Sequence, residues 1–372
     1  MLLLLCVIIL TISCKDVYHP AIIESASFYL VVEGILNSGS GPSEVRLSRT
    51  ARLYGNGFAP ELNAVVTVEG KDNSISVMPS AGNGYYQSSG LNLIINNEYR
   101  LRIKTVNGKE YLSDYVMAKS TPPIDSIIWR QEQEGVRLYV NTHDDLENTH
   151  YYHWDYDETW EIRSHFYATV IYAPPVVRDR LPGEEVYSCW KYDSSANILI
   201  ASSEKLQSDI ISEAPLKLIP INTERLTVRY SMLLRQYALD KAAYRFYELM
   251  KKNTEDIGNL FSPQPTEMKG NIHNISDPSE PVIGYISAST ISQKRIFISN
   301  SELSYWHFPQ DCIDTIIPNT PLEFQRVFQY GYLYPYDKFY SPSGQVVGYY
   351  SSYPQCVDCT KRGGNLNRPS YW

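Results

Sequence analysis

Basic charge is the first thing this chain is short of. Its 33 Lys and Arg face 41 Asp and Glu, a formal net charge of −8. Nucleic-acid binding needs a basic face that neutralises phosphates, so that class of function is excluded. An electrostatic grip on anionic lipid is excluded by the same deficit. Long apolar runs are scarce too: beyond residue 13 none approaches 18 residues, so no further membrane-spanning helix is expected. Catalytic fingerprints are missing. There is no G-x-S-x-G elbow, no P-loop and no dinucleotide-binding glycine motif. Helical periodicity occurs convincingly once. What the chain has in quantity is tyrosine, 31 residues against 10 Phe and 6 Trp. Tyrosine favours strands and half-buried surfaces, which points to an all-β exported protein and leaves open a set of sugar-stacking platforms.

The N-terminus carries the apolar run that the rest lacks. Residues 1–13, MLLLLCVIILTIS, hold no charge. As a helix they reach roughly 20 Å at about 1.5 Å per residue, too short for a bilayer core of about 30 Å. That length fits the core of a signal peptide. Ser13 supplies the small residue before Cys14, and Leu10 and Ile12 the apolar approach, so LTISCKD resembles a bacterial lipobox. Cys14 is then the lipidated first residue of the mature protein, and 14–27 a polar tether. Several acyl chains on one cysteine hold a protein firmly on a membrane.

From 28 to 120 the pattern is short strands and turns. In EYRLRIK, Tyr99, Leu101 and Ile103 alternate with Arg100, Arg102 and Lys104, the period of a half-buried strand. Asn107-Gly108 predicts a two-residue type I′ hairpin turn, and Gly34, Gly55 and Gly57 read as turn residues. The spacing argues an immunoglobulin-like β-sandwich. STPPIDSIIW then marks a boundary, because two prolines stiffen the connection. A second β region covers 124–303. In HYYHWDYDETWEI, His150, Tyr152, Trp154 and Tyr156 share a face, and in ERLTVRYSMLLRQYAL so do Leu226, Val228, Tyr230, Met232 and Leu234. DKAAYRFYELMKKN is the one helix, about 240–252, with Asp240 as N-cap and Lys251 and Lys252 near its C-terminal end. Leu239, Ala243, Phe246, Tyr247 and Met250 form its apolar stripe, expected to pack on a sheet. LFSPQPTEMKGNI reads as a proline-bearing loop. From 304 to 372 the chain is rich in aromatics, Pro and Gly with little periodicity, and reads as a tail held to the second domain. The fold expected is mainly β: two tandem immunoglobulin-like sandwiches, the second with an inserted helix and a disulfide-held tail.

Six cysteines are present, and Cys6 and Cys14 belong to the leader. Cys189, Cys312, Cys356 and Cys359 remain, an even number in an exported chain, so two disulfides are the default. The spacing has Cys356 and Cys359 bonded to Cys189 and Cys312, in either order. Zinc is disfavoured because the chain holds a single C-x-x-C pair. A thioredoxin-like site is disfavoured because TKRGGNLNRP, after that pair, cannot open a helix. No cofactor and no metal are expected.

Three groups of polar residues are candidates for chemistry. His143, Asp144, Asp145, Glu147, His150 and His153 are metal-ligand types, but their spacing matches no zinc helix or calcium loop, and a solvated turn is the plainer reading. Asp155, Asp157, Glu158 and Glu161 are a source of paired carboxylates for glycoside hydrolysis, which needs defined separations. Arg49 and Arg52 offer a grip on an anion, or else a charged strand edge that discourages aggregation.

The order of these elements resembles a family of Bacteroidetes lipoproteins catalogued as domain of unknown function 4249. The likeness rests on LVVEG, VRLSRTA, PPIDSI, YYHWDYDETWEI, RYSMLLRQYAL, AYRFYELMKKNTEDIGNLFSPQPTEMKGNIHN, VIGYISAS, KRIFI and CVDCTKRGGNLNRPSYW. The resemblance implies an outer-membrane lipoprotein associated with TonB-dependent receptors that import nutrients, and supplies no catalytic residues. Cys14, Cys189, Cys312, Cys356 and Cys359 fit the family's lipidation and cysteine-rich positions. The function expected is that of a non-catalytic binding or accessory component with a glycan or peptide ligand. The alternatives are an extracytoplasmic hydrolase of glycan or peptide, and a structural or adhesion protein of the envelope.

Overall fold

A computed structural model describes residues 28–50, 59–255 and 269–372. The leader, Cys14, the tether, Arg52, Gly55, Gly57 and most of the proline-bearing loop lie outside these residues. Strand makes up 48% of the structure and helix 11%, so the protein is mainly β, with a sandwich-like arrangement of sheets.

The first unit alternates as its sequence does. In Glu98–Lys104 the residues Tyr99, Leu101 and Ile103 are buried, and the arginines between them bond Glu69 on the next strand. Leu30, Val32, Leu36, Val45, Leu47, Val66 and Val68 complete a core sealed from water. Gly34 is not a turn residue. It lies within the strand Leu30–Asn37 at φ 149°, where a Cβ would meet the Glu44 carbonyl oxygen of the neighbouring strand at 2.5 Å.

The Asn-Gly turns divide differently from expectation. Asn83-Gly84, at φ 50° and 80°, joins Ser80–Gly82 to Tyr85–Ser88 as a two-residue primed turn. At Asn107-Gly108 only the glycine has positive φ, 82°. The Gly108 N–H reaches the Thr105 carbonyl at 2.9 Å, and the Thr105 hydroxyl donates to the Asn107 side chain. That side chain keeps Asn107 out of the left-handed region, giving a three-residue loop instead of a type I′ turn.

The second unit is also a sandwich. Ile124–Glu132, Gly135–His143 and Ile210–Pro220 form one sheet. The other runs Ser188–Ser194, Tyr151–Arg163, Arg229–Ala238, Ile291–Ser299, with Leu199–Ser202 also on Tyr151–Arg163. Tyr152, Trp154, Tyr156, Trp160 and Ile162 point into the core between them, beside Tyr230, Met232 and Leu234 of the adjacent strand, and meet Val136, Leu138 and Val140 of the other sheet. The strand expected from Leu226 starts at Arg229; Leu226 enters the core from a short 3-10 turn.

Two boundaries need correction. Within the stretch expected to belong to the second domain, Ile272–Asn274 pairs with Glu110–Ser113 of the first unit. Ile283–Gly284 and Ser287–Ser289 run parallel to Leu30–Asn37, and Ser287–Ser289 also pairs with Val116–Lys119. Ser287–Ser289 lies between two neighbours and is buried throughout, so its small residues carry no half-buried signature. The segment after 304 is more than a tail. Thr315–Pro318, Val346–Ser352 and Tyr334–Tyr340 form a sheet of their own. Its core of Ile317, Phe324, Phe328 and Tyr349 is shared with Val170 from the hairpin Val170–Ala173 and Val176–Asp179. Cys189 bonds Cys359 and Cys312 bonds Cys356, so two adjacent C-terminal cysteines reach two distant partners.

The helix spans Lys241–Thr254, and the Asp240 side chain accepts from the Ala243 N–H at 2.7 Å as its cap. Leu239, Ala243 and Phe246 are buried, while Tyr247 and Met250 are half-buried. The helix touches both units. Tyr244 meets Tyr151 and Tyr247 stacks on His153, both of the second sandwich, whereas Phe246 packs on Tyr285, beside the returning strands of the first.

Candidate functional site

The chain passes from the first unit to the second at two places, Thr121 and Thr290, and these two crossings lie side by side. The Thr121 N–H donates to the Thr290 hydroxyl at 2.8 Å, and the Thr121 hydroxyl donates to the Thr290 carbonyl. Gln236, wholly buried, donates from Nε2 to the Pro122 carbonyl and to Thr142 Oγ1, both at 2.9 Å. Its Oε1 accepts from Trp154 Nε1 at 2.8 Å. One amide side chain thus fixes the prolines of the linker to the core of the second sandwich, and a buried network satisfied at every atom is rigid.

Beside this hinge lies an open cleft of about 710 Å³. The first unit contributes Asn96, Met117 and Lys119, the linker Pro123, and the second unit His143 and Leu146. Met117 and Leu146 stand 51% and 77% exposed, so the cleft offers apolar surface to solvent between polar groups. The loop carrying Leu146 is held by Asp144, whose carboxylate accepts from the Leu146 and Asn148 N–H groups at 3.1 Å each. His143 lies between Asp125, 2.8 Å from Nδ1, and Asp145, 3.3 Å from Nε2. The hydrogen bond to Asp125 raises its pKa above the ordinary histidine value and favours the imidazolium.

The six residues of the His and Asp cluster do not converge. Among the described residues no group of three or more His, Cys, Asp or Glu is placed to hold a metal ion. His150 lies 3.4 Å from Ser203, and the Ser203 hydroxyl donates to Asp209, which also accepts from Tyr152 at 2.9 Å. A serine, a histidine and an aspartate therefore meet, but wired in the wrong order for nucleophilic catalysis. The carboxylate holds the serine proton, so the imidazole can only donate to the hydroxyl. His153 faces the helix, stacked on Tyr247 with ring centroids 4.7 Å apart. Its Nδ1 is shielded from water without a hydrogen-bond partner, and burial pushes its pKa down to about 4.

The four candidate carboxylates divide between the two faces of their strand. Asp155 and Asp157 both bind Arg235, and Asp155 also accepts from Tyr237 at 2.8 Å. Glu161 binds Arg163 at 2.9 Å and Trp372 Nε1 at 3.2 Å. Glu158 turns inward and is wholly buried, accepting from Lys217 at 2.8 Å, Arg225 at 3.0 Å and the Tyr230 hydroxyl at 2.8 Å. Arg49 is no exposed edge charge either. Its strand Ser43–Arg49 lies between Leu30–Asn37 and Tyr85–Ser88, and its guanidinium binds Glu61 at 2.6 Å beside Glu280 at 3.6 Å.

The family model described as Domain of unknown function (DUF4249) matches residues 15–295. The chain belongs to that family. No curated protein matches it. Among solved structures, a mutant of Salmonella alpha-2-macroglobulin is similar over 87% of this chain at 10% identity, with a TM-score of 0.19. This chain spans 16% of the length of that protein.

In this member of the family the cleft residues Asn96, Met117, Lys119 and Leu146 carried no signal in the sequence. The nearest legible sign was the Pro122-Pro123 pair, which marked the boundary but not the opening beside it. Gln236 was equally hidden, as the one polar residue on a strand face otherwise formed by Tyr230, Met232 and Leu234.

Proposed function

We propose that this protein is an outer-membrane lipoprotein, anchored through Cys14, that binds a ligand without transforming it and serves a TonB-dependent nutrient receptor. The observation that carries the reading is the commitment of the ionisable side chains. Asp155, Asp157, Glu158 and Glu161 each bind a cation of the same scaffold, and Asp209 holds a serine and a tyrosine. Groups spent on internal pairs stiffen a scaffold and leave little for proton transfer. The rigid scaffold presents a cleft between its two sandwiches, the kind of place where ligands collect. Exposed apolar side chains beside His143, Lys119 and Asn96 suit a glycan or a peptide, both of which combine apolar faces with hydrogen-bonding groups.

The leader supports the anchor. Between Cys14 and Phe28 the chain reaches at most roughly 50 Å at about 3.5 Å per residue, enough to hold the sandwiches close to a membrane surface. Replacing Cys14→Ala tests the anchor by fractionation. The variant is expected in the soluble fraction and the wild type in the membrane. A Cys14→Ala protein that stays in the membrane after high-salt and carbonate washes removes the lipid anchor from this reading. Release of glycan or peptide fragments by the purified wild type puts a hydrolase in place of the binding role.

A further inference from the structure

We infer that the two disulfides form a graded clamp, in which Cys312–Cys356 opens to a dithiol while Cys189–Cys359 holds. Cys189 and Cys359 are both fully buried and belong to the apolar core of the second sandwich. Cys189 sits in the strand Ser188–Ser194 opposite Ile162, and the Cys359 N–H donates to the Val186 carbonyl at 3.0 Å. Gly364 closes over this bond so tightly that a Cβ there would meet the Cys189 Cβ at 2.4 Å. The second bond is built otherwise. Cys356 is 2% exposed, but Cys312 is half-buried and lies between Glu302 and Thr315, a stretch with neither helix nor strand. A thiolate must reach a disulfide sulfur to attack it, so access decides which bond exchanges first.

A dithiol thiolate attacks Cys312 Sγ, the S–S bond breaks, and Cys356 leaves as a thiolate that takes up a proton. The second thiol of the reagent then displaces Cys312, which is protonated in turn. The reagent ends as a cyclic disulfide, oxidised by two electrons, and the protein holds two thiols. The freed loop, closed by cysteines 44 positions apart, contains Thr315–Pro318, an edge strand that among the described residues pairs only with Val346–Ser352. Cys359 meanwhile stays tied to the second sandwich. Reduction therefore loosens the C-terminal sheet and leaves the sandwich intact.

The test uses the full native chain with its four disulfide cysteines. It is exposed to dithiothreitol without denaturant, sampled over time, alkylated with iodoacetamide and mapped by mass spectrometry. Cys312 and Cys356 are expected to be alkylated at least roughly tenfold faster than Cys189 and Cys359, and the difference is expected to vanish in denaturant. Equal native rates, or earlier alkylation of Cys189 and Cys359, overturn the grading. Hydrogen exchange on the singly reduced species reads the consequence: Thr315–Pro318 loses protection while Arg229–Ala238 keeps it. Unchanged protection at Thr315–Pro318 shows that the first bond clamps nothing.

Discussion

Glu158 is a carboxylate with no exposed surface, yet it has three donors. Lys217 and Arg225 reach it from the edge of the sandwich, and Arg225 also lies over the Trp160 ring at 4.5 Å. Removing one partner of such a pair leaves buried charge without compensation, a cost of about 3–5 kcal/mol. Glu158→Ala is expected to lose that much in urea unfolding. A loss below about 1 kcal/mol shows that water replaces the carboxylate and that the site is wetter than its burial implies. His153 makes the opposite statement. Burial holds its pKa down to about 4, so the folded imidazole stays neutral, while the unfolded one takes a proton near the ordinary value of 6.5. Between those two values the unfolded state binds the extra proton, so stability falls as pH drops through the window, by about 3 kcal/mol at its lower end. His153→Phe is expected to flatten that part of the stability–pH curve. An unchanged curve assigns the acid sensitivity to other groups.

At the scale of elements, the helix Lys241–Thr254 is the clearest case of sequence and structure agreeing. A helix of 14 residues is marginal alone, so packing must hold it. Phe246 is 7% exposed and packs on Tyr247 and Tyr285. Phe246→Ala is expected to cost about 3–5 kcal/mol, against about 0.5 kcal/mol or less for the exposed Lys252→Ala, measured by chemical denaturation. A negligible loss at Phe246 makes the stripe a docking face in place of a core. The helix was legible because its cap and period are local. Strands such as Glu98–Lys104 and Tyr151–Arg163 were legible for the same reason, since alternation reports burial on one side. Ser287–Ser289 was not, because a parallel strand caught between two neighbours shows only small buried residues. The C-terminal sheet hid behind Tyr, Pro and Gly, and two of its core residues, Phe324 and Phe328, come from a short helical turn outside its strands. Arg49 looked like an edge charge because the strand Tyr85–Ser88 that covers its own strand, and the Glu280 beside its guanidinium, are distant in sequence.

On the scale of the whole molecule, two sandwiches are tied by two parallel crossings, braced by one helix and followed by a third, smaller sheet. The cleft of about 710 Å³ exists because Thr121 and Thr290 hold the crossings together and Gln236 fixes the prolines. The sequence announced the boundary through Pro122-Pro123, but an opening between units depends on how they are set against each other, which no local pattern encodes. The anchor proposed at Cys14 and the cleft proposed for ligand together describe a component that waits at a membrane for a receptor. Purification of the wild-type protein from membranes in mild detergent, followed by mass spectrometry of what comes with it, tests that claim most directly. The account predicts a β-barrel receptor recovered in near-stoichiometric amount. Recovery of the folded wild type alone, over a range of detergents and after crosslinking in intact cells, contradicts it.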